Sequence, residues 1–255
     1  MRVQSVLVFN DNYVHLLIDE ATSEAVIVDP GEAESVGATL ARLKLRAMAI
    51  LITHHHPDHV EGVEALRQAH GLRVIGAKAD AHRLPHLDQG VADGDTLDLL
   101  GQKIRVLAVP GHTANHLAYW LEDARILFPG DTLFGMGCGR LFEGTAAQMW
   151  DSLSRLKALP GETLVYCAHE YTAANGRFAR TIEGANPRLD ARLADTAALV
   201  AKRLPSVPFR LDLDCETNPF LRADRADVAQ AVGLAGAPPA QVFAEIRARK
   251  DRFKG

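Results

Sequence analysis

The chain has 255 residues, 47% hydrophobic and 24% charged, which excludes extended disorder and leaves room for one large core or two modest ones. A formal net charge of -4 gives no reason to expect binding to nucleic acid or an anionic membrane. No stretch is long and apolar enough to span a bilayer, and the early apolar run in MRVQSVLVFNDNY is broken at Asn10, Asp11 and Asn12, too soon for a secretory segment.

VQSVLVF, VHLLI and AVIVDPG read as successive strands, the last closed by a Pro-Gly turn. ESVGATLARLKL has helical apolar spacing, AMAILIT is a buried strand running into THHHPDHVEG, and GVEALRQAH is a second helix. VADGDTLDLLGQKIRVLAVPGH reads as turn, strand, tight turn, strand; HLAYWL and RILFPGD add two more strands. After the glycine-rich FGMGCGRLFEG come the amphipathic helix AAQMWDSLSRLKAL and a strand, TLVYCAHE. From there the character turns helical, in RLDARLADTAALVAKRL, ADVAQAVGL and PAQVFAEIRARKDRFK, with a strand expected only around FRLDLD. This shift places a domain boundary near Glu170, giving a catalytic domain over 1–170 and a helical domain over 171–255. Cys138, Cys167 and Cys215 are widely spaced and form no CxxC pair, which points to a reducing compartment and a cytoplasmic protein.

The chemistry gathers in THHHPDHVEG. In an extended loop side chains alternate, so His54, His56 and Asp58 project one way while His55 and His59 are offset, with the chain turning at Pro57. That parity suggests two neighbouring sites, one for His54 and His56 and one for Asp58 and His59. Three more strands run into ligand-type residues: RVLAVPGH gives His112, RILFPGD gives Asp131 and TLVYCAH gives His169. A single His or Asp at a strand end reads as a turn residue. Four such ends together supply enough donors for two ions, with Asp131 best placed to bridge. His55 is expected to be a helper or a packed residue. His116 is divided between a partner behind a ligand and a structural residue, while His15, His70, His82 and His86 lack ligand spacing.

HHHPDH matches the HxHxDH pattern of the metallo-β-lactamase superfamily. With DNY at 11–13, PGHT, GDTLF, CGRLFEG, CAHEYT, NPFLR and the tail RARKDRFK, nearly the whole chain resembles glyoxalase II, the hydroxyacylglutathione hydrolases. The resemblance implies an αββα sandwich followed by a small helical domain. It implies one metal on His54, His56 and His112, a second on Asp58, His59 and His169, and Asp131 between them. Two divalent ions are implied, zinc first and iron or manganese as alternatives. The implied reaction is hydrolysis of S-D-lactoylglutathione to glutathione and D-lactate, the second step of methylglyoxal detoxification. Its nucleophile is a hydroxide shared by ions about 3.5–4 Å apart, with Asp58 and Asp131 as the catalytic carboxylates. Arg140, Phe142, Tyr171, Arg247 and Lys250 fall where the family grips the glutathione half.

Three positions depart from the family: Phe142 stands where Tyr is usual, and Glu61 and Asn115 replace common glycines. A small-molecule thioester is the expected partner, with neither nucleic acid nor membrane, and the protein is expected to be a monomer. The rival readings are a persulfide dioxygenase-like enzyme with one iron, another hydrolase of the superfamily, a nucleic-acid-processing member and a non-catalytic scaffold.

Overall fold

The computed structural model describes residues 1–254, and the chain divides into two compact units: Met1–Ala108 with Asn115–Gly130, and Val109–Ala114 with Asp131–Gly255. This division follows spatial contact and cuts across the change of composition near Glu170.

In the first unit, strands β1 (Arg2–Val8), β2 (Asn12–Asp19) and β3 (Glu24–Val28) form an antiparallel meander. The sheet continues in parallel through β4 (Arg46–Leu51), β5 (Arg73–Ala77) and β6 (Gln89–Val91). Parallel neighbours need crossovers, and helices supply them. Helix α1 (Glu34–Leu43) joins β3 to β4, while a helical turn α2 (Pro57–Val60) and helix α3 (Val63–His70) join β4 to β5. Helix α1 ends on Lys44 and α3 on Gly71, both in the left-handed conformation that closes a helix end. Val28, Ile50, Leu51, Val74 and Ile75 are fully or almost fully buried, as expected of parallel strands covered on both faces.

A second sheet of this unit has the order β10-β9-β8-β7, from β7 (Thr96–Leu99), β8 (Gln102–Ala108), β9 (Leu117–Leu121) and β10 (Ile126–Phe128), all antiparallel. Leu100 and Gly101, both at positive φ, turn the β7–β8 hairpin. The two sheets touch where the Tyr119 hydroxyl donates to the Ile52 carbonyl at 2.8 Å and where the His15 and Phe128 rings lie 5.6 Å apart.

The parallel arrangement positions the chemistry. Strands β3, β4 and β5 end at the same edge and deliver Asp29, the segment Thr53–His59 and Asp80. That edge, beyond the carboxyl ends of parallel strands, is where α/β sheets bind ligands.

In the second unit, β11 (Leu133–Phe134) and β12 (Gly137–Cys138) form a small hairpin, followed by α4 (Ala146–Lys157). Thr145 and Gln148 close a reciprocal capping box at the start of α4. Strand β13 (Leu164–Val165) precedes α5 (Thr172–Ile182) and α6 (Pro187–Ala201), whose first turn is capped by the Asn186 side chain. β14 (Phe209–Arg210) pairs with β13, and α7 (Leu211–Thr217), α8 (Ala226–Ala231) and α9 (Pro239–Arg252) complete the unit.

Three expectations need correction. FRLDLD alternates like a strand, yet only Phe209 and Arg210 pair. Asp212 and Asp214 sit in the first turn of α7, where carboxylates favour a helix N-terminus. TLVYCAHE leaves its ladder after Val165. The alternation assumed through THHHPDH stops at His56, because Pro57 occupies the first position of a helical turn that carries Asp58 and His59.

Candidate metal centre and substrate-side loop

In the first unit, His54 and His59 are buried and His56 is half-buried, at the end of β4 and on α2. His54 Nε2 and His56 Nδ1 lie 2.9 Å apart, and His59 Nε2 is 3.5 Å from Asp58 Oδ2. The donor atoms of His54 with His56, of His54 with His59, and of Asp58 with His59 fall within 4.8 Å of one another.

Asp29 organises this cluster. Its carboxylate accepts from the Thr53 backbone N–H at 2.7 Å, the Thr53 hydroxyl at 2.6 Å and His59 Nδ1 at 3.1 Å. With its hydroxyl hydrogen committed to Asp29, Thr53 Oγ1 accepts from His54 Nδ1 at 3.1 Å. Both imidazoles thereby carry their proton on Nδ1 and keep an Nε2 lone pair for a ligand role. Asn12 Nδ2 donates to Asp58 Oδ2 at 2.7 Å and holds that carboxylate. Gly31 is required here, since a Cβ would lie 1.9 Å from the Asp58 carbonyl oxygen. His116 is fully buried with its ring stacked on His54 at 4.6 Å, which makes it a packing partner of a ligand-type residue.

In the second unit, Asp131 stands between two histidines: His112 Nε2 is 3.4 Å from Oδ2 and His169 Nε2 is 3.4 Å from Oδ1. All three are buried. His112 Nδ1 donates to the Arg140 carbonyl at 2.8 Å, again leaving the Nε2 lone pair inward. Gly139 lets the hairpin approach, since a Cβ would meet the Asp131 carbonyl oxygen at 2.0 Å and the His112 ring at 3.0 Å.

These donors fit divalent metal. They are imidazoles and carboxylates without a cysteine, they converge within each unit, and a hydroxyl, a carboxylate and a backbone carbonyl fix the tautomers of His54, His59 and His112 respectively. The cysteines are inert by comparison: burial pushes the Cys167 thiol up to about 12 and the Cys138 and Cys215 thiols to about 11.

The residues expected to grip substrate lie just past the hairpin, at the start of α5 and on α9. Arg140 is exposed, with Nε 3.6 Å from Asp251 Oδ1. Phe142 is 60% exposed and lies edge-on to the His112 ring at 5.3 Å. Tyr171 stacks on His169 at 4.7 Å and touches Phe134 edge-on. Lys250 lies 5.4 and 5.5 Å from the Phe178 and Phe253 ring centres, and burial, followed by Arg247 and Arg177, lowers its ammonium to about 8.

Arg247 is different in kind. It is buried over the Phe220 ring, with Nη1 donating to the Cys138 carbonyl at 3.0 Å and Nε and Nη2 turned to Asp251 at 3.1 and 2.9 Å. Its guanidinium therefore braces the hairpin.

Other braces escaped the sequence reading. Asn175 Nδ2 donates to the Gly135 carbonyl, Asn218 Nδ2 to the Gly137 carbonyl, and the Met136 N–H donates to Asp214 Oδ1. Asp214 is itself paired with buried Arg192 at 2.5 Å. Only the NPFLR motif hinted at this network, through Asn218.

Residues 13–169 match the model of the metallo-beta-lactamase superfamily, and residues 170–253 match that of the hydroxyacylglutathione hydrolase C-terminus. Similar curated proteins include the hydroxyacylglutathione hydrolases of Cereibacter sphaeroides, 51% identical with 99% of each chain covered, and of Rhodobacter capsulatus, 54% identical with 95% of each covered. Among solved structures, ETHE1 from Myxococcus xanthus superposes with a TM-score of 0.66 at 26% identity, covering 98% of each chain. TTHA1623 in a di-iron-bound form gives 0.63 at 25% identity, covering 85% of this chain and 98% of that one. The fold is that of the metallo-β-lactamases, and the chain belongs to the hydroxyacylglutathione hydrolase family.

Proposed function

We propose that this protein is a metal-dependent thioester hydrolase that cleaves S-D-lactoylglutathione to glutathione and D-lactate. The observation that carries the reading is the matched pair of donor sets, His54–His56–Asp58–His59 braced by Asp29 and His112–Asp131–His169 braced by the Arg140 carbonyl. The family's full-length relatives and the C-terminal family match support the substrate. No helix among the described residues is long and apolar enough to cross a membrane.

In this reading His54, His56 and His112 hold one divalent ion, Asp58, His59 and His169 hold a second, and Asp131 serves both. Zinc suits these donors, as do iron and manganese. When bound, such ions bring the pKa of water toward neutrality and stabilise developing oxyanion charge.

The chain's own residues supply the rest. Asn12 holds Asp58 Oδ2 at 2.7 Å and so restricts the carboxylate that orients the attacking water. The leaving thiolate of glutathione, with a thiol pKa near about 8.5, departs without a strong acid, so no proton donor is needed beside the scissile bond. The three cysteines, with thiols raised to about 11 or 12, offer no competing thiolate nucleophile at neutral pH. Residues 171–255 act as the substrate-binding region together with the β11–β12 hairpin. Arg140 and Lys250 meet the carboxylates of the glutathione moiety, Tyr171 and Phe142 flank it, and Arg247 contributes by holding the Cys138 carbonyl.

The test is release of free thiol and D-lactate from S-D-lactoylglutathione, run beside a β-lactam, a lactone and glutathione persulfide with oxygen monitored. Thiol release from the thioester alone is expected. Oxygen consumption, or turnover of the β-lactam or lactone in place of the thioester, would overturn the reading.

A further inference from the structure

We propose that Asp80 is a positioning residue for the metal-ligand loop, the counterpart on β5 of what Asp29 is on β3; the inference rests on the ligand assignment proposed above.

Asp80 closes the 3-10 turn Lys78–Asp80 just past the end of β5 and is completely buried. A buried carboxylate is retained only where charges or donors compensate its lost hydration. Its hydrogen bonds gather on one oxygen, and the other has an imidazole nitrogen nearby without a hydrogen bond. Oδ1 accepts from Arg83 Nη2 at 2.6 Å, Arg83 Nε at 3.1 Å and Asn115 Nδ2 at 2.7 Å. Oδ2 faces His55 Nδ1 at 3.6 Å.

Arg83 closes the circuit, with Nη1 3.3 Å from His55 Nε2. A guanidinium only donates, so His55 Nε2 is the acceptor and the Nδ1–H side faces Asp80. Both ring nitrogens of His55 are thereby directed away from a ligand role, which gives the middle histidine of THHHPDH a purpose. It anchors the backbone between His54 and His56, and any rotation there displaces both neighbours. Through Asn115, the same carboxylate also fixes the residue before His116, whose ring packs on His54 at 4.6 Å. One buried charge thus holds the loop from below and the packing partner of its first histidine from the side. Asp29, at the end of β3, reaches Thr53 and His59 but neither His55 nor Asn115.

The test uses the full chain stripped of metal, with Zn2+ affinity measured by competition against a chromophoric chelator and the melting temperature of the metal-free protein recorded beside it. Asp80→Asn keeps the shape and removes the charge. It is expected to weaken Zn2+ binding about 10–100-fold, the range for partners behind metal ligands, with little change in the metal-free melting temperature and in KM. Asn115→Gly removes a single contact to Oδ1 and is expected to act in the same direction with a smaller loss; it gives the reading should Asp80→Asn fail to fold. Unchanged Zn2+ affinity in the variants that fold, whether or not the metal-free protein melts earlier, overturns the proposal. His56→Ala run in parallel separates the two claims. If it too binds Zn2+ like the parent, the ligand assignment fails; if it loses Zn2+ while Asp80→Asn does not, only the role of Asp80 fails.

Discussion

The THHHPDH loop of the first unit and the β11–β12 hairpin of the second are positioned by opposite strategies. THHHPDH is held by the sheet edge itself: it leaves β4, turns at Pro57, and is braced by Asp29 and Asp80 from the ends of the two neighbouring parallel strands. The hairpin, a pair of two-residue strands, has almost no ladder of its own. It is held by side chains from α5, α7, α9 and the Asn218 turn, which satisfy the backbone from Gly135 to Cys138. Rigid sheet edges suit atoms that must sit within tenths of an ångström, as ligands do. A loop hung on helices suits substrate grip, where its position depends on several remote residues at once.

The contrast can be broken at either end. Asp58→Ala removes a ligand-type carboxylate and should lower kcat more than about a hundredfold, beyond the range for an outer partner, with metal content falling on the same sample. Asp29→Asn leaves every ligand in place but loosens Thr53 and His59; Zn2+ affinity is expected to fall about 10–100-fold while KM holds.

In the second unit the effects should read differently. Asp214→Ala leaves the Arg192 guanidinium buried without its carboxylate and should cost about 3–5 kcal/mol of stability, visible in denaturant unfolding. Because the hairpin also loses the brace on the Met136 N–H, KM should rise more than kcat falls. If kcat alone fell, the hairpin would belong to the chemistry and the comparison would collapse.

Lys250 gives the pH test. Its ammonium is lowered to about 8, so it is charged below that pH and loses its charge above it. KM for the anionic thioester should be flat below about pH 8 and rise above it, and Lys250→Arg should remove the rise. Arg247, Arg177, Asp251 and Cys138 surround the group. The smallest effect is expected from Phe142→Tyr: a restored hydroxyl hydrogen bond is worth roughly 1 kcal/mol, or about fivefold in KM.

The donor residues were legible because each follows an apolar strand, and the four strand ends carry into the structure: His54, His112, Asp131 and His169 lie three or four residues past β4, β8, β10 and β13. The braces were not. Asp29 in VDPG reads as an ordinary turn residue, and Asp80, Asn175 and Asp214 sit in unremarkable local sequence, since their partners lie between 3 and 78 residues away. The tail RARKDRFK suggested a basic grip, yet burial of Arg247 against Phe220 and Cys138 depends on α9 packing that local charge pattern does not encode. Parity failed at Pro57 for a local reason that was visible: proline at the first position begins a helical turn as readily as it bends a loop.

The most direct test of the central claim is a metal titration of the chelated protein, with hydrolysis of S-D-lactoylglutathione followed at each addition. Activity is expected to reach its maximum at about two equivalents of metal per chain and to be absent at every ratio in Asp58→Ala. Saturation at one equivalent, or no hydrolysis with both equivalents bound, would contradict the account.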